Sequence, residues 1–141
     1  MQQEVISECL DAAARAPAPV RVLPAMPWRQ VPAFFAGAAV TVVSTTSPER
    51  WCNTAAEALS AGTPVIAYDF GHVPVLAGPA GVMVTPSRPV RALWDAATAL
   101  LAGRSAYHAA SQAAPVQVSS HTPVTSAIAF VAAVAGGGTG P

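Results

Sequence analysis

Residues 39–68 read AVTVVSTTSPERWCNTAAEALSAGTPVIAY, and the order of residue types in this stretch decides the fold. The stretch divides into a strand at residues 39–43, a loop at 44–50, a helix at 51–61 and a strand at 64–68. Both strands are apolar and largely β-branched, which is typical of strands buried in a parallel sheet. Pro48 marks the loop, Gly62 stands where a helix C′ glycine belongs, and Pro64 prevents the helix from continuing. A strand–helix–strand unit of this length predicts a right-handed crossover within a parallel sheet.

Two acidic side chains lie in this apolar unit, Glu49 at the end of the loop and Glu57 in the helix. Asn53 and Glu57 are four residues apart and therefore share a polar helix face. We expect an apolar stripe of the same helix to pack on the sheet, formed by Trp51, Ala55 and Leu59. The first helical turn has backbone N–H groups without helical partners, which point toward the strand ends. The sequence therefore predicts a site for an anionic ligand with hydroxyl groups, whose phosphate binds the N–H groups and whose hydroxyls bind the carboxylates.

Glu49 and Glu57 have seven residues between them, and residues 58–67, directly after Glu57, read ALSAGTPVIA. This pattern resembles the donor-site motif of the retaining GT-B glycosyltransferases of the family 4 type. In that motif a serine near the strand end is followed by Glu, seven residues, Glu-Ala, three residues, Gly, any residue and Pro-Val. Ser44 or Ser47 stands in the place of the serine. The resemblance is specific because the spacing and the flanking residues match together.

Two further segments extend the resemblance, which covers roughly residues 20–110. Residues 71–76, GHVPVL, are similar to the glycine-rich turn of the family, and residues 81–86, GVMVTP, are similar to its next strand. The family has a Rossmann-like C-terminal domain with the strand order 3-2-1-4-5-6, in which residues 20–23 match the third strand. Its first two strands, with the Arg and Lys that clamp the diphosphate, have no counterpart in the sequence. Its N-terminal acceptor domain has none either.

We therefore predict an α/β fold, a Rossmann-like parallel sheet of about four strands with flanking helices, as part of a GT-B C-terminal domain. Residues 1–135 would form this partial nucleotide-sugar-binding domain, followed by a flexible tail at residues 136–141. The strand at residues 20–23 must pair directly with residues 40–43, or the sheet has an open edge that invites self-association. Because half of the donor cleft has no counterpart, we expect a fragment of a donor domain that is inactive alone.

The resemblance implies a role for each carboxylate of the motif. Glu57 would accept hydrogen bonds from the ribose hydroxyls of a nucleotide-sugar, a role that suits an ionised carboxylate. Glu49 would be the catalytic residue, which faces the hydroxyls of the donor sugar and steadies the developing oxocarbenium charge. A carboxylate in a loop is usually a solvated surface charge. These roles therefore depend on the match between the residues that flank the two carboxylates and the family motif.

The resemblance implies further donor-binding residues: Arg50, Cys52, Asn53, Thr54, Gly71 and His72. The backbone N–H groups of Cys52, Asn53 and Thr54 would meet the diphosphate, and Arg50 is a cation beside them. Cys52 departs from the commonest family pattern, which has glycine after an aromatic residue. We expect its side chain to be buried as a small filler and to crowd the phosphate. The resemblance implies no metal, because this type of site requires none and the sequence has no metal-ligand cluster. It implies no cofactor either, because the nucleotide-diphosphate sugar is the donor substrate.

The composition bears on compartment and partners. The formal net charge is zero, so no basic face is available for nucleic acid. All seven basic residues are arginine, which excludes a Schiff-base lysine and a phosphate-loop lysine. Cys9 and Cys52 have no metal or redox spacing, and with the polar N-terminus they indicate a cytoplasmic chain. No apolar run reaches the roughly 20 residues that a transmembrane segment needs.

Three functions remain open from the sequence. The first is a donor domain that binds a nucleotide-sugar for transfer to an acceptor, with a separate acceptor domain or a second copy as partner. The second is a non-catalytic module that keeps the fold for binding or assembly. The third is a GT-B-like nucleotide-sugar epimerase, which predicts turnover of the sugar without an acceptor and whose usual acid and base residues have no place in this sequence.

Overall fold

A computed structural model describes residues 2–136, which divide into two compact units. One unit ends at Gln30 and the other begins at Val31. The first unit contains helix α1, Gln2–Ala14, and a 3-10 helix, Trp28–Gln30. The prediction of a single domain over residues 1–135 stays a prediction.

The predicted strand at residues 20–23 does not form. Residues 16–27 contain neither helix nor strand. The sequence of residues 20–23, VRVL, alternates in a way that fits a strand, but strand propensity depends on pairing and packing with neighbours. The sheet has three strands among the described residues, and the expected fourth strand is wrong.

The second unit contains the sheet and most of the helices. In chain order its elements are α2 Val31–Ala36, β1 Thr41–Val43, α3 Asn53–Ser60, β2 Val65–Tyr68, α4 Val73–Ala77, a 3-10 helix Gly78–Ala80, β3 Gly81–Val84, α5 Arg91–Ala102, α6 Arg104–Val118 and α7 Pro123–Gly136. The strands are parallel in the order β1-β2-β3, with Val65 opposite Thr41 on one side and opposite Gly81 on the other. The predicted Rossmann-like α/β class is confirmed.

The central strand β2 joins two hydrophobic clusters. Val65 and Ala67 point to the face that α3 and α4 cover, whereas Ile66 and Tyr68 point to the face that α5 covers. All four side chains are buried, as expected for a parallel strand with helices on both faces. The sheet is therefore a rigid base for the loops at its edge.

The crossover from β1 to β2 passes through α3, which ends as the sequence predicts. Gly62 has a φ of +82°, a backbone conformation that glycine adopts without strain. Its N–H donates to the carbonyl oxygen of Leu59 at 3.0 Å, and the N–H of Thr63 donates to that of Ala58 at 2.9 Å. These two bonds form a Schellman motif and direct the chain into β2.

Two side-chain hydrogen bonds hold the turn between α3 and β2. The hydroxyl of Ser111 in α6 donates to the carbonyl oxygen of Gly62 at 2.7 Å. The buried hydroxyl of Thr63 donates to the carbonyl oxygen of Phe35 in α2, also at 2.7 Å. Both neighbouring helices are thereby fixed to the point where the chain enters the central strand.

Helix α7 has no charged residue and exposes large apolar side chains, namely Val124, Ile128, Phe130, Val131 and Val134. Within residues 2–136 no single helix is long and apolar enough to cross a membrane. The helices α6 and α7 meet that criterion only as a pair, which bends by 57° at the break. The predicted flexible tail at residues 136–141 lies outside the described residues, except for Gly136 at the end of α7.

Candidate functional site

The carboxyl ends of the three strands meet at one edge of the sheet, because all of the strands are parallel. The loops that follow the strands begin at this edge, and they comprise residues 44–52, 69–72 and 85–90. Glu49 lies in the first loop, and Gly71 and His72 lie in the second. Ligands of open parallel sheets bind beyond this edge.

A close backbone contact joins the first two loops. The backbone N–H of His72 donates to the carbonyl oxygen of Glu49 at 3.0 Å. Gly71 has a φ of +67°, and a Cβ atom there would lie only 2.9 Å from the backbone nitrogen of Glu49 and 3.0 Å from its carbonyl oxygen. The left-handed backbone and the close approach both require glycine. Gly71 therefore lets the loop of Glu49 lie directly against the turn of His72.

The side chain of Glu49 interacts with Cys52, the residue that precedes α3. Cys52 is buried, with 3% of its surface exposed, as the sequence predicts. Burial raises the pKa of its thiol. The N–H groups of Ala55 and Thr54 act in the opposite direction, whereas Glu49 raises the pKa further through a hydrogen bond and its negative charge. A buried thiol that stays protonated is a packing residue and a poor nucleophile.

Trp51 forms a ring cluster with two histidines. Its ring centroid lies 5.7 Å from that of His72, with the planes 29° apart, and 5.0 Å from that of His121, with the planes 51° apart. Trp51 is 41% exposed. Its predicted place in the apolar stripe of the helix is wrong, because Trp51 precedes α3 and does not follow the helical periodicity. The other two members of that stripe, Ala55 and Leu59, are buried as predicted.

The first turn of α3 is open to solvent. Asn53 and Thr54 are exposed, and within residues 2–136 their backbone N–H groups donate to no backbone carbonyl oxygen. The thiol of Cys52 lies near the N–H groups of Thr54 and Ala55 but makes no capping hydrogen bond of standard geometry with them. Helix N–H groups without a carbonyl partner and the positive end of the helix dipole favour an anion at such a position. Glu57 is exposed further along the same helix.

The structure brings four of the predicted site residues into one group: Glu49, Cys52, Gly71 and His72. The other four predicted site residues are exposed. In the described part of the chain, their side chains form no hydrogen bond or ion pair with that group. These are Arg50, Asn53, Thr54 and Glu57. Their use in a site depends on a ligand that reaches from the group to the first turn of α3.

His121 is a neighbour of this group that the sequence does not predict. His121 lies 70 positions after Trp51, in the turn between α6 and α7, and no local pattern links the two residues. Only the fold brings the two rings together.

A groove of about 400 Å³ lies on α7, lined by Ala127, Ile128, Val131 and Ala132. It offers almost no polar surface, so it does not suit a ligand with phosphates and hydroxyls. No group of three or more metal-binding side chains occurs within residues 2–136. The edge of the sheet is therefore the candidate site.

The fold and this edge define a Rossmann-like α/β protein with an acidic loop beside a helix N-terminus. The chain belongs to the family of glycosyl transferases group 1, which it matches over residues 3–117. The resemblance drawn from the motif at Glu49 and Glu57 is thereby confirmed, and of the residues assigned to the site region only His121 lies beyond the matched span. No curated protein and no solved structure matches the chain.

Proposed function

We propose that the chain binds a nucleoside-diphosphate sugar and forms one wall of a donor site for glycosyl transfer. Membership of the family supports glycosyl transfer in general. The observation that carries the proposal is the contact between Glu49 and the Gly71–His72 turn, because it holds an acidic loop at the sheet edge where α3 begins. Carboxylates and helix N–H groups in one place suit a ligand that has both hydroxyls and phosphates.

The two carboxylates have different tasks in this proposal. Glu57 is exposed on α3, and its carboxylate accepts hydrogen bonds from the ribose hydroxyls. Glu49 is half-buried and faces the hydroxyls of the donor sugar. Its negative charge stabilises the positive charge that develops on the sugar in the transition state, and partial burial strengthens that effect.

The diphosphate lies at the first turn of α3 in this proposal. Asn53 and Thr54 are exposed there, and their N–H groups donate to no backbone carbonyl oxygen within residues 2–136. Arg50 is the cation of the same segment. Cys52 contributes its backbone, and its raised pKa keeps the thiol from adding a negative charge next to the phosphates. His72, with Gly71, forms the side of the site that follows β2.

In this proposal the chain alone binds the donor but does not transfer the sugar. The family clamps the diphosphate with an Arg and a Lys, whereas here Arg50 is the single basic residue of the motif and the sequence has no lysine. A partner that brings an acceptor site, or a second copy, would pair with the free edge of β1, which has one neighbouring strand among the described residues. A cytoplasmic location agrees with the two free thiols of Cys9 and Cys52.

Isothermal titration with UDP, GDP, ADP, CDP and dTDP tests the proposal. We expect heat of binding with one of them and with the corresponding nucleotide-sugar. Absence of heat with all five, with and without their sugars, would overturn the proposal. An epimerase would instead convert the bound nucleotide-sugar without an acceptor, which chromatography of the recovered sugar detects.

The variant Glu57→Ala separates a donor site from a module that only keeps the fold. Loss of a charged hydrogen-bond acceptor should weaken nucleotide binding about 10- to 100-fold. Because Glu57 is exposed, the melting temperature should hardly change. Glu8→Ala is the matched control, since Glu8 is an exposed glutamate on α1. Equal affinity of the two variants would exclude Glu57 from the site.

A further inference from the structure

The ring cluster of Trp51, His72 and His121 joins three separate segments of the chain. Trp51 lies between Glu49 and the start of α3, and His72 lies between β2 and α4. His121 lies in the turn between α6 and α7, where its backbone N–H donates to the carbonyl oxygen of Val118 at 3.0 Å. The cluster thus brings the turn between α6 and α7 to the candidate site.

The two histidine rings are the aromatic contacts of Trp51 among the described residues. Trp51 is 41% exposed and lies outside the helical stripe that packs on the sheet. The ring of His121 approaches it more closely than the ring of His72 does, with centroid distances of 5.0 and 5.7 Å. Aromatic pairs at these distances attract each other and restrict the rotation of both side chains.

The position of Trp51 bears directly on the proposed site. Two residues before it is Glu49, whose carbonyl oxygen accepts the N–H of His72. Two residues after it, the exposed residue Asn53 begins α3. A movement of Trp51 would therefore change the position of the acidic loop and of the N–H groups together.

We propose that His121 is a positioning residue of the donor site, which holds Trp51 against His72 and thereby fixes the loop of Glu49 beside the start of α3. This inference rests on the proposed function. His121 touches the ring of Trp51 and acts through it, so it is not a catalytic residue. Since the family match ends at residue 117, this contribution comes from a turn of this chain beyond the matched span.

The test compares His121→Ala with His121→Phe, which keeps an aromatic ring. Both are made in a Trp28→Phe, Trp94→Phe background, because these two tryptophans are exposed and Trp51 then reports alone. Acrylamide quenching measures the exposure of Trp51, and isothermal titration measures affinity for the nucleoside diphosphate that binds. His108→Ala is the matched control, since His108 is an exposed histidine whose ring lies against Tyr107.

We expect His121→Ala to increase quenching of Trp51 and to weaken nucleotide affinity about three- to tenfold, the effect of losing one aromatic pair. His121→Phe should keep both properties within about twofold of the unsubstituted chain, as should His108→Ala. In a Trp51→Leu background, His121→Ala should have no further effect on affinity, because the contact is already gone.

Unchanged affinity of His121→Ala, or a weakening of His108→Ala by the same factor, would overturn the positioning role. If the unsubstituted chain binds no nucleoside diphosphate, the proposed function fails, and the role in a donor site fails with it. In that case the quenching data still show whether His121 holds Trp51. Circular dichroism checks that each variant is folded, and His121→Leu, of similar volume without a ring, replaces the alanine variant if that one unfolds.

Discussion

The backbone N–H of His72 and the carbonyl oxygen of Glu49 are joined by a hydrogen bond of 3.0 Å, although 23 positions separate them in sequence. The bond connects the loops after β1 and β2, which are neighbours in the sheet. The position of Glu49 therefore depends on the loop that follows the neighbouring strand as well as on its own loop. Changes to this contact should alter the site and the stability of the chain together.

Gly71→Ala should destabilise the chain and displace the loop of Glu49. The left-handed backbone alone costs about 1–2 kcal/mol for alanine. The new Cβ would also lie 2.9 Å from the nitrogen of Glu49 and 3.3 Å from the Cα of Pro48, so the loop must shift. Urea denaturation measures the loss in the free energy of unfolding.

Gly103→Ala is the control for this prediction. Its φ is −92°, and a Cβ there would lie no closer than 3.6 Å to its neighbours. We expect a change of less than about 1 kcal/mol. Equal losses at the two glycines would show that the contact with Glu49 does not require glycine at position 71.

Glu49→Gln should discriminate between a nucleotide and its sugar conjugate. In the proposed site Glu49 faces the sugar, so affinity for the nucleoside diphosphate should change less than twofold, while affinity for the nucleotide-sugar falls about tenfold. Titration of both ligands into the same protein sample measures the difference. A loss of the same size for both ligands would place Glu49 at the nucleotide and contradict the assigned role.

The stability of the chain should decrease at alkaline pH because of Cys52. Burial, supported by Glu49, raises the folded-state pKa of the thiol above its ordinary value of 9.0. The unfolded chain therefore loses this proton at a lower pH than the folded chain. The contribution of the protonated thiol to the free energy of unfolding is fully present below the pKa that Cys52 has in the unfolded chain. It is lost as the pH rises through the pKa that Cys52 has in the folded chain. Urea denaturation between about pH 8 and about pH 10 should show the decrease.

A Cys9→Ser background isolates this effect, because Cys9 is the other thiol and is exposed. Cys52→Ser in that background should reduce the pH dependence, since serine does not titrate in this range. Identical slopes of unfolding free energy against pH in the presence and absence of the Cys52 thiol would contradict the prediction.

Leu59→Ala should remove much of the packing between α3 and the sheet. Leu59 is fully buried, and replacing a buried leucine by alanine costs about 2–5 kcal/mol through lost contacts and the cavity left behind. Leu101→Ala on α5 is the matched control, because Leu101 is 47% exposed and should cost less than about 1 kcal/mol. The midpoint of urea denaturation distinguishes the two variants. Similar midpoints for Leu59→Ala and Leu101→Ala would place Leu59 outside the core.

The sequence predicts the crossover unit well because its signals are local. Gly62 is recognisable as a helix end, since a positive φ favours glycine, and the structure has φ of +82° there. The burial of Ala55 and Leu59 follows from helical periodicity. The motif at Glu49 and Glu57 is equally local, which is why the family can be assigned from the sequence.

The features that the sequence does not predict depend on distant partners. Residues 20–23 have an alternating pattern but form no strand, because pairing decides whether a strand exists. The environment of Trp51 depends on His72 and His121, and no short-range pattern encodes these ring contacts. The contact of Gly71 with Glu49 is likewise visible only in the fold.

The left-handed backbone of Gly71, pressed against the neighbouring loop, also constrains how the gene can change. Every missense mutation of a glycine codon, whichever base is exchanged, introduces a residue with a Cβ atom. Each of those residues would collide with the same backbone atoms of Glu49. Selection for the position of this loop should therefore preserve glycine at position 71 in descendants of the gene, even where the side chain at position 49 varies.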